Sequence, residues 1–463
     1  MSRKNDHIRT LMSPRARLIW GIILVLIGIA ILTGAGTIAF REHSEHSEQE
    51  QGALHGQAKD WREIAGKMFG LLAATLVLLQ FALSAKLKSL DRVFGIHRTL
   101  LAHRTLGIFA AVLASLHPMF LFAPEDKSLG TIRLAIWPEL LGVLLLIGLW
   151  VAVFMGLWRV FLGIRYQVWY RFHRVGMFGA VVLVAVHLLS VTDSLRHGWP
   201  LYALIVVLVL FAALLLWSQV IKPLLLKKRR YSVTEVTPAG KDTYTVELTP
   251  DNGEVFAYSP GQFAFVTFHS RALLTERHPW TISSTPTRPK SLIFTIKCSG
   301  DFTALIGRLT PGDKAAIEAP YGLFTYLAYD GDLNRELIMI AGGVGVTPML
   351  SMLRYLVDTN DGRKLTLIWS NRTQADILCP QELEEMESKL TNLTIHHVLS
   401  EQRDFKGKTG RLNADMLKEL LEGCSRRAAV FVCGPPPMMD AVCRDLKIIG
   451  FSGRHVHTER FSY

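Results

Sequence analysis

Two stretches of matched spacing decide the fold: LLAHRTLGIFAAVLASLHP at 100–118 and RFHRVGMFGAVVLVAVHLLS at 171–190. Each is apolar and carries two histidines 14 residues apart, His103 and His117 in the first, His173 and His187 in the second. At about 100° per residue, 14 steps fall roughly 40° short of four turns, so a helix puts both histidines of a stretch on one face. The rise between them is roughly 21 Å, which sets one near each surface of a ~30 Å hydrocarbon layer. Two such helices running in the same direction would place His103 opposite His173 and His117 opposite His187. Facing imidazoles at two depths suit two b-type haems, each iron held by two histidines. A single intramembrane histidine is as often satisfied by a local hydrogen bond, whereas four at matched spacing favour ligation. His97 has no partner 14 residues on, since position 111 is Ala, and reads as a loop residue. Arg104 and Arg174 each follow an inner histidine, either to meet a haem propionate or to anchor the helix at the membrane surface.

Around these stretches lie six apolar runs, at 18–40, 64–84, 105–123, 135–158, 175–192 and 199–221. Each is long enough for one helical crossing. The first is too long for the apolar region of a signal peptide and is followed by no clear A-x-A cleavage site. The ends and loops on one side carry 19 Lys and Arg, closing on Lys227-Lys228-Arg229-Arg230, against seven on the other side beside the acidic stretch Glu42–Glu50. Cytoplasmic loops hold the excess of basic residues, so both termini are expected in the cytoplasm.

The whole-chain figures agree once divided. The chain has 463 residues, 50% hydrophobic and 19% charged, with net charge +12, a pI near 9.5 and mean hydropathy +0.27. So few charges exclude a disordered chain, and five cysteines in this length exclude a disulfide-stapled scaffold. The basic pI raises nucleic-acid binding. Residues 1–230, however, hold 26 Lys and Arg against 12 Asp and Glu, and residues 231–463 hold 25 against 27. All the excess lies in the membrane half and reports topology, so no nucleic-acid partner is expected.

After residue 230 the texture changes. YSVTEVT, TYTVELT, FAFVTF and SLIFTIK are β-rich runs broken by Gly, Pro and Asp, the pattern of a small antiparallel barrel. From about 335, strands ELIMIAGG, KLTLIWS, TIHHVLS and AVFVCG alternate with helical segments, which predicts a doubly wound parallel sheet. All five cysteines, Cys298, Cys379, Cys424, Cys433 and Cys443, fall here without zinc-type spacing and read as reduced thiols. AGGVGVTPML at 341–350 follows a strand and opens a helix. Gly342, Gly343 and Gly345 leave room for a dinucleotide phosphate, with Thr347 at the helix start. The next strand ends Ser370-Asn371-Arg372. An arginine there accommodates a 2′-phosphate where an acidic residue would bind a bare ribose, which favours NADPH over NADH, with Arg411 in KTGRL as a helper.

The six apolar runs with these two histidine pairs resemble the ferric reductase/NADPH oxidase superfamily, whose haem ligands carry over to His103, His117, His173 and His187. The second half resembles the ferredoxin–NADP reductase family. YSPGQFAFVTF followed by RHPWTISSTP is similar to that family's flavin segment, with Trp280 in place of the usual Phe. The resemblance implies that His278, Pro279, Trp280 and Thr281 lie along the flavin. Arg277 and His278 would meet phosphate, and Thr281 and Ser283 would hydrogen-bond flavin polar atoms. IKCSGDFTALI resembles a second phosphate motif, with Lys297, Gly300 and Thr303, where a helix starting near Thr303 would offer free N–H groups. FVCGPPPMMDAV matches the family's nicotinamide motif, which implies that Cys433, Gly434 and Pro435 line the nicotinamide. The ending HTERFSY would bring an aromatic, Phe461 in preference to Tyr463, against the flavin.

The expected architecture is multidomain: a six-helix transmembrane dihaem bundle over 1–228, an antiparallel FAD-binding β-barrel over 229–334, and an α/β doubly wound nicotinamide-binding domain over 335–463. The cofactors implied are FAD, two haem b and NADPH, with NADH as the alternative nucleotide. The resemblance implies an NAD(P)H-dependent transmembrane oxidoreductase of a bacterial plasma membrane. Electrons would pass from NADPH through FAD and the inner and outer haems to dioxygen, giving superoxide. The alternatives are a ferric chelate as acceptor or relay to a periplasmic protein. A non-redox transporter would need neither HPWTISS nor CGPPPM. No D-x-D-x-D-G calcium loop appears.

Overall fold

The computed structural model describes residues 57–121, 137–191, 198–228, 230–253, 255–288, 290–329 and 335–461. The chain divides into two compact units between Ile221 and Lys222.

The first unit is helical: α1 (Gln57–Ser84), α2 (Lys88–Phe94), α3 (Ile96–Leu121), α4 (Trp137–Trp158), α5 (Tyr166–Val191) and α6 (Gly198–Leu216). Among the described residues, five helical segments are long and apolar enough to cross a membrane: Trp61–Ser84, Ile96–Leu121, Glu139–Trp158, Tyr166–Val191 and Leu204–Leu226. The sixth expected span, 18–40, lies outside the described residues, as do the basic N-tail and Glu42–Glu50. Large apolar side chains point outward, among them Val143, Leu144, Ile147, Val151 and Phe154 of α4. A helix apolar on every face is at home in lipid. Inside, Val77 of α1, Ala110 of α3 and Val184 of α5 pack together, with Leu145 and Leu149 of α4 against them. By sequence these residues fall between the two histidine levels.

One expectation is corrected here. α3 begins at Ile96, well before the apolar run at 105, because the Asp91 carboxylate accepts the Ile96 N–H at 2.8 Å and caps the helix early. His97 therefore lies exposed in the first turn of α3 and not in a loop.

The second unit opens with α7 (Lys222–Lys228), then two sheets. Strands β1 (Arg230–Gly240), β2 (Thr243–Pro250), β3 (Phe263–His269), β4 (Arg277–Thr281), β5 (Leu292–Lys297) and β6 (Lys314–Tyr321) form an antiparallel sheet of order β4-β3-β6-β1-β2-β5. Alternate residues such as Val246 and Leu248, or Val266 and Phe268, bury one face as the period-2 pattern requires. The two edges, β4 and β5, are joined by the segment that follows β4. Ser283 N–H donates to the Ile293 carbonyl at 2.8 Å, and Ile293 N–H donates to Ser284 Oγ at 3.1 Å. The TISS segment thus takes up edge groups that would otherwise lack partners.

The other sheet is parallel throughout: β7 (Leu337–Gly342), β8 (Leu365–Asn371), β9 (Leu393–Leu399), β10 (Lys408–Thr409), β11 (Ala429–Cys433) and β12 (Val456–Glu459), in the order β10-β9-β8-β7-β11-β12. Its helices are α8 (Thr347–Asp358), α9 (Pro380–Lys389), α10 (Ala414–Leu420) and α11 (Pro436–Ile448). Both faces are covered, which explains why β7 reads as an unbroken apolar run. Leu337, Met339 and Ala341 pack with Met349 and Leu353 of α8, while Ile338 and Ile340 pack with Leu417 of α10 and Val442 of α11. Chain order reverses at β7, which has β8 on one side and β11 on the other. In open α/β sheets that reversal opens a ligand crevice at the carboxyl ends of the strands. All five cysteines are free thiols.

Candidate functional site

The 14-residue spacing appears in space as two facing pairs. His103 of α3 and His173 of α5 have ring centroids 6.2 Å apart with planes at 85°; His117 and His187 stand 6.4 Å apart at 89°. Two iron–imidazole bonds of about 2 Å, with about 1.1 Å from ring nitrogen to ring centre, put the centroids about 6.2 Å apart. Both pairs fit two imidazoles on one central atom. Among the described residues no group of three or more His, Cys, Asp or Glu side chains is placed to hold a metal ion. Two imidazoles are too few for a bare ion; a tetrapyrrole, if bound, would supply the remaining nitrogen ligands.

α1 orients both α3 histidines. His103 Nδ1 lies 3.2 Å from the Gln80 carbonyl and His117 Nδ1 lies 2.8 Å from the Gly66 carbonyl. A carbonyl only accepts, so Nδ1 carries the proton and Nε2 keeps the lone pair that a metal needs. Glycines clear the His117–His187 pair. A Cβ on Gly70 would stand 2.7 Å from His117 Nδ1, and one on Gly142 would stand 2.9 Å from His187 Cε1. His173 is stacked on Trp169 at 5.1 Å. Arg174 donates to Gln219, and Arg104 is exposed. Gln80 itself is buried, with Oε1 unpartnered and facing Gly107. Sequence reasoning missed it, although an amide side chain inside the run LLAATLVLLQFAL was a usable signal.

At the expected flavin segment, the structure brings the two phosphate motifs together. His278 stacks on Trp280 at 5.5 Å and meets Phe302, from the second motif, at 4.2 Å. His278 Nε2 lies 3.1 Å from Glu276. Pro279 sits within β4 opposite Phe265, and Thr281 is buried at the strand end. Ser283 Oγ donates to the Ile293 carbonyl at 2.9 Å, so its hydroxyl supports the sheet edge. Arg277 pairs with Glu318, a carboxylate only 3% exposed that also takes Lys222 at 2.6 Å and the Tyr321 hydroxyl. Glu318 and Lys222 escaped sequence reasoning because they lie in β6 and α7, far in sequence from β4.

Lys297 is exposed at the end of β5. The helix expected at Thr303 is a single 3-10 stretch, Thr303–Arg308. Thr303 Oγ1 accepts the N–H groups of Ser299 and Gly300, each at 2.9 Å, and closes the turn that leads into this stretch.

The nicotinamide motifs meet at the reversal point. Ala341 of β7 pairs with Cys433 of β11, so the Gly342–Val346 loop lies against Gly434 and Pro435. A Cβ on Gly345 would stand 2.4 Å from the Cys433 carbonyl oxygen, and one on Gly342 would stand 2.3 Å from Met438 Sδ. Gly343, by contrast, has φ +52° and open space around it. Thr347 Oγ1 donates to the Val344 carbonyl at 3.0 Å and tightens the helix entry. Cys433 is wholly buried; burial, reinforced by Glu459, pushes its thiol well above the usual range, so it is a neutral thiol and no nucleophile. Arg372 directly follows β8, exposed, 3.6 Å from Glu401. Arg411 is exposed after β10. Phe461 is exposed after β12, and Tyr463 lies outside the described residues.

A flavin segment closing one sheet and a glycine-lined crevice at the reversal point of a parallel sheet define the class, an oxidoreductase built on FAD- and NAD-binding domains. Three protein families match the chain in order: "Ferric reductase like transmembrane component" over residues 69–186, "FAD-binding domain" over 229–323 and "Oxidoreductase NAD-binding domain" over 339–444. The chain therefore has the ferric reductase/NADPH oxidase-like architecture, with a flavin–nicotinamide half of ferredoxin–NADP reductase type.

Curated relatives include the glycine betaine monooxygenase reductase subunit of Chromohalobacter salexigens, 33% identical over 228 residues, covering 48% of this chain and 60% of that protein. The propane 2-monooxygenase reductase component of Rhodococcus jostii is 29% identical over 242 residues, covering 50% of this chain and 63% of that protein. The chain thus spans less than two thirds of these relatives. Among solved structures, the FAD/NAD-binding domain of nitric oxide dioxygenase from Vibrio cholerae O1 biovar El Tor aligns at TM-score 0.45 and 20% identity, covering 50% of this chain and 98% of that one.

Proposed function

We propose that the chain moves electrons from cytosolic NADPH across a membrane to an acceptor outside the cytoplasm, with dioxygen, reduced by one electron to superoxide, as that acceptor. When bound, FAD supplies the change from hydride to single-electron chemistry, and two haems supply a path through the apolar layer. The observation that carries this reading is the pair of imidazole pairs, 6.2 and 6.4 Å across, in the helical unit of a chain that also has FAD- and NAD-binding domains.

In this reading residues 1–228 form the six-span haem domain, 229–334 the FAD domain and 335–463 the nucleotide domain. Both termini lie in the cytoplasm, and the membrane is a bacterial plasma membrane. His103 and His173 hold the inner haem, His117 and His187 the outer, with the Gln80 and Gly66 carbonyls fixing the ligand tautomers. Trp280 and Phe461 flank the flavin ring. The loop from Gly342 to Thr347, with Gly434 and Pro435, admits the nicotinamide end of the nucleotide, and buried Cys433 shapes the floor of that crevice.

A ferric chelate is the second reading of the acceptor, favoured by the family match over residues 69–186. NADPH turnover with dioxygen and with ferric citrate offered separately decides between them. Cytochrome c reduction that superoxide dismutase suppresses is expected; insensitivity to the dismutase would sink the oxidase reading.

Arg372 gives a second prediction. Arg372→Ala removes a charged partner of the 2′-phosphate, an interaction worth about 1.5–3 kcal/mol, so KM for NADPH should rise roughly 10- to 100-fold. KM for NADH should stay where it was. Equal loss for both nucleotides would remove Arg372 from the phosphate site.

A further inference from the structure

Helix α8 starts directly after the glycine loop of the nucleotide crevice, and its entry is fixed. Thr347 Oγ1 donates to the Val344 carbonyl at 3.0 Å, and Trp369 Nε1 donates to the Gly343 carbonyl at 2.9 Å. Three side chains farther along α8, Ser351, Arg354 and Asp358, follow an i, i+3, i+7 spacing and share one face. All three reach the same short piece of the other sheet's chain, the end of the TISS segment and the turn after it. Ser351 Oγ donates to the Ser284 carbonyl at 2.7 Å. Arg354 Nη1 donates to the Ser283 carbonyl. Asp358 accepts from Arg288 Nη2 at 2.8 Å and from the Thr287 hydroxyl.

Arg354 is largely buried, and its remaining fork is fixed by Glu382 of α9, Nε to Oε1 at 2.7 Å and Nη2 to Oε2 at 2.7 Å. A planar guanidinium whose Nε–Nη2 edge is held by a carboxylate has the direction of its Nη1 donors set, and here one of them meets a backbone carbonyl of the flavin segment. Burial opposes the charge on Arg354, but the Glu382 hydrogen bonds and charge outweigh it and hold the group firmly protonated. The far side of the segment is tied as well, by the Tyr258 hydroxyl 3.0 Å from Ser284 Oγ.

We infer that α8 is a spacer that sets the flavin segment against the nucleotide loop, with Ser351, Arg354 and Asp358 as positioning residues for hydride transfer. The inference rests on the reading that residues 277–284 hold FAD and 342–347 hold NADPH. One rigid helix carries the nucleotide loop at its start and grips the carbonyls of Ser283 and Ser284 from its middle. A shift of α8 therefore changes the separation of the two cofactor segments. Nothing in the sequence pattern marks this face, because in a helix of parallel-sheet type Arg354 reads as an ordinary surface residue.

The test uses the full chain, purified in detergent and loaded with FAD. Arg354→Lys keeps the charge but loses the fork, and Ser351→Ala loses one carbonyl contact. Four quantities are read: FAD retention, Tm, the NADPH–flavin charge-transfer absorbance, and flavin bleaching by NADPH as both saturating rate and KM. A displacement near 1 Å at the reacting pair costs on the order of 100-fold in rate. Arg354→Lys is expected to slow bleaching at saturating NADPH by about tenfold or more and to weaken the charge-transfer absorbance, with KM within about twofold of the parent and FAD retained. If Arg354→Lys fails to fold, Ser351→Ala carries the test, with the same pattern at about two- to fivefold.

A merely structural role would lower Tm or FAD retention and leave the saturating rate and the absorbance unchanged, and that result overturns the inference. A parent protein that retains FAD but is never bleached by NADPH overturns the underlying reading instead, and the inference with it.

Discussion

Replacing His117 or His187 by leucine is expected to leave the protein with one haem in place of two, and to lower NADPH-driven reduction of an outer acceptor by at least about 100-fold. The size of the effect follows from the geometry. The two rings stand 6.4 Å apart at 89°, so either substitution removes one of the two facing imidazoles. Loss of a partner that merely orients a ligand already costs about 10- to 100-fold in affinity, so loss of the ligand itself should cost more. Leucine is close in volume to the imidazole and suits the surrounding apolar side chains, so the helices should still pack.

The haem-to-protein ratio, by the pyridine haemochrome spectrum, reads the result directly. NADPH-dependent ferricyanide reduction at the flavin half should persist. Gly142→Ala tests the same pocket from the other side, because its Cβ would stand 2.9 Å from His187 Cε1 and must push the ring out of line. Two haems retained in both histidine variants would refute the ligand assignment.

The second large effect is expected at Gly345, where the constraint is backbone against backbone. A Cβ there would stand 2.4 Å from the Cys433 carbonyl oxygen, 2.7 Å from its carbon and 2.8 Å from Gly434 Cα. None of these is the movable end of a side chain. β7 and β11 are hydrogen-bonded neighbours up to Ala341 and Cys433, so the two loops cannot part without opening the sheet. Overpacking of this kind costs about 1–3 kcal/mol, which for a unit of this size is roughly 2–4 °C of Tm per kcal/mol. Gly345→Ala should therefore lower Tm by several degrees and abolish saturable NADPH binding, while FAD is retained. Gly343→Ala is the control. Its φ of +52° is strained for alanine, but nothing lies within 4 Å, so a loss of about 1–2 kcal/mol without loss of the crevice is expected. Parental KM and Tm in Gly345→Ala would contradict the close approach of the two loops.

Much of this was legible in the sequence because the relevant signals are periodic or local. The alternation in TYTVELT and the unbroken LIMIAG run report one buried face and two, and they appear as β2 and β7 in those roles. The histidine spacing is a property of single helices, so the shared face of each pair could be read directly, and the matched spacing of two helices suggested the facing pairs. Contacts between distant segments could not be. The Lys222–Glu318–Arg277 cluster joins three elements, and no local pattern links Glu318 of β6 to the RHPW segment. The clearance that Gly70 and Gly142 give to His117 and His187 is equally invisible, since a glycine in an apolar run looks the same whether or not a ring fills its side. A boundary failed where a side chain outweighed hydropathy: Asp91 starts α3 early and draws in His97.

Transmembrane electron transfer is tested most directly by adding NADPH, without oxygen, to the purified FAD-loaded protein while following the b-haem absorbance. Reduction of both haems with NADPH as the sole donor is expected, and reduction of only one in His117→Leu. Haems that stay oxidised while the flavin is bleached, or a purified protein that carries no haem, would contradict it.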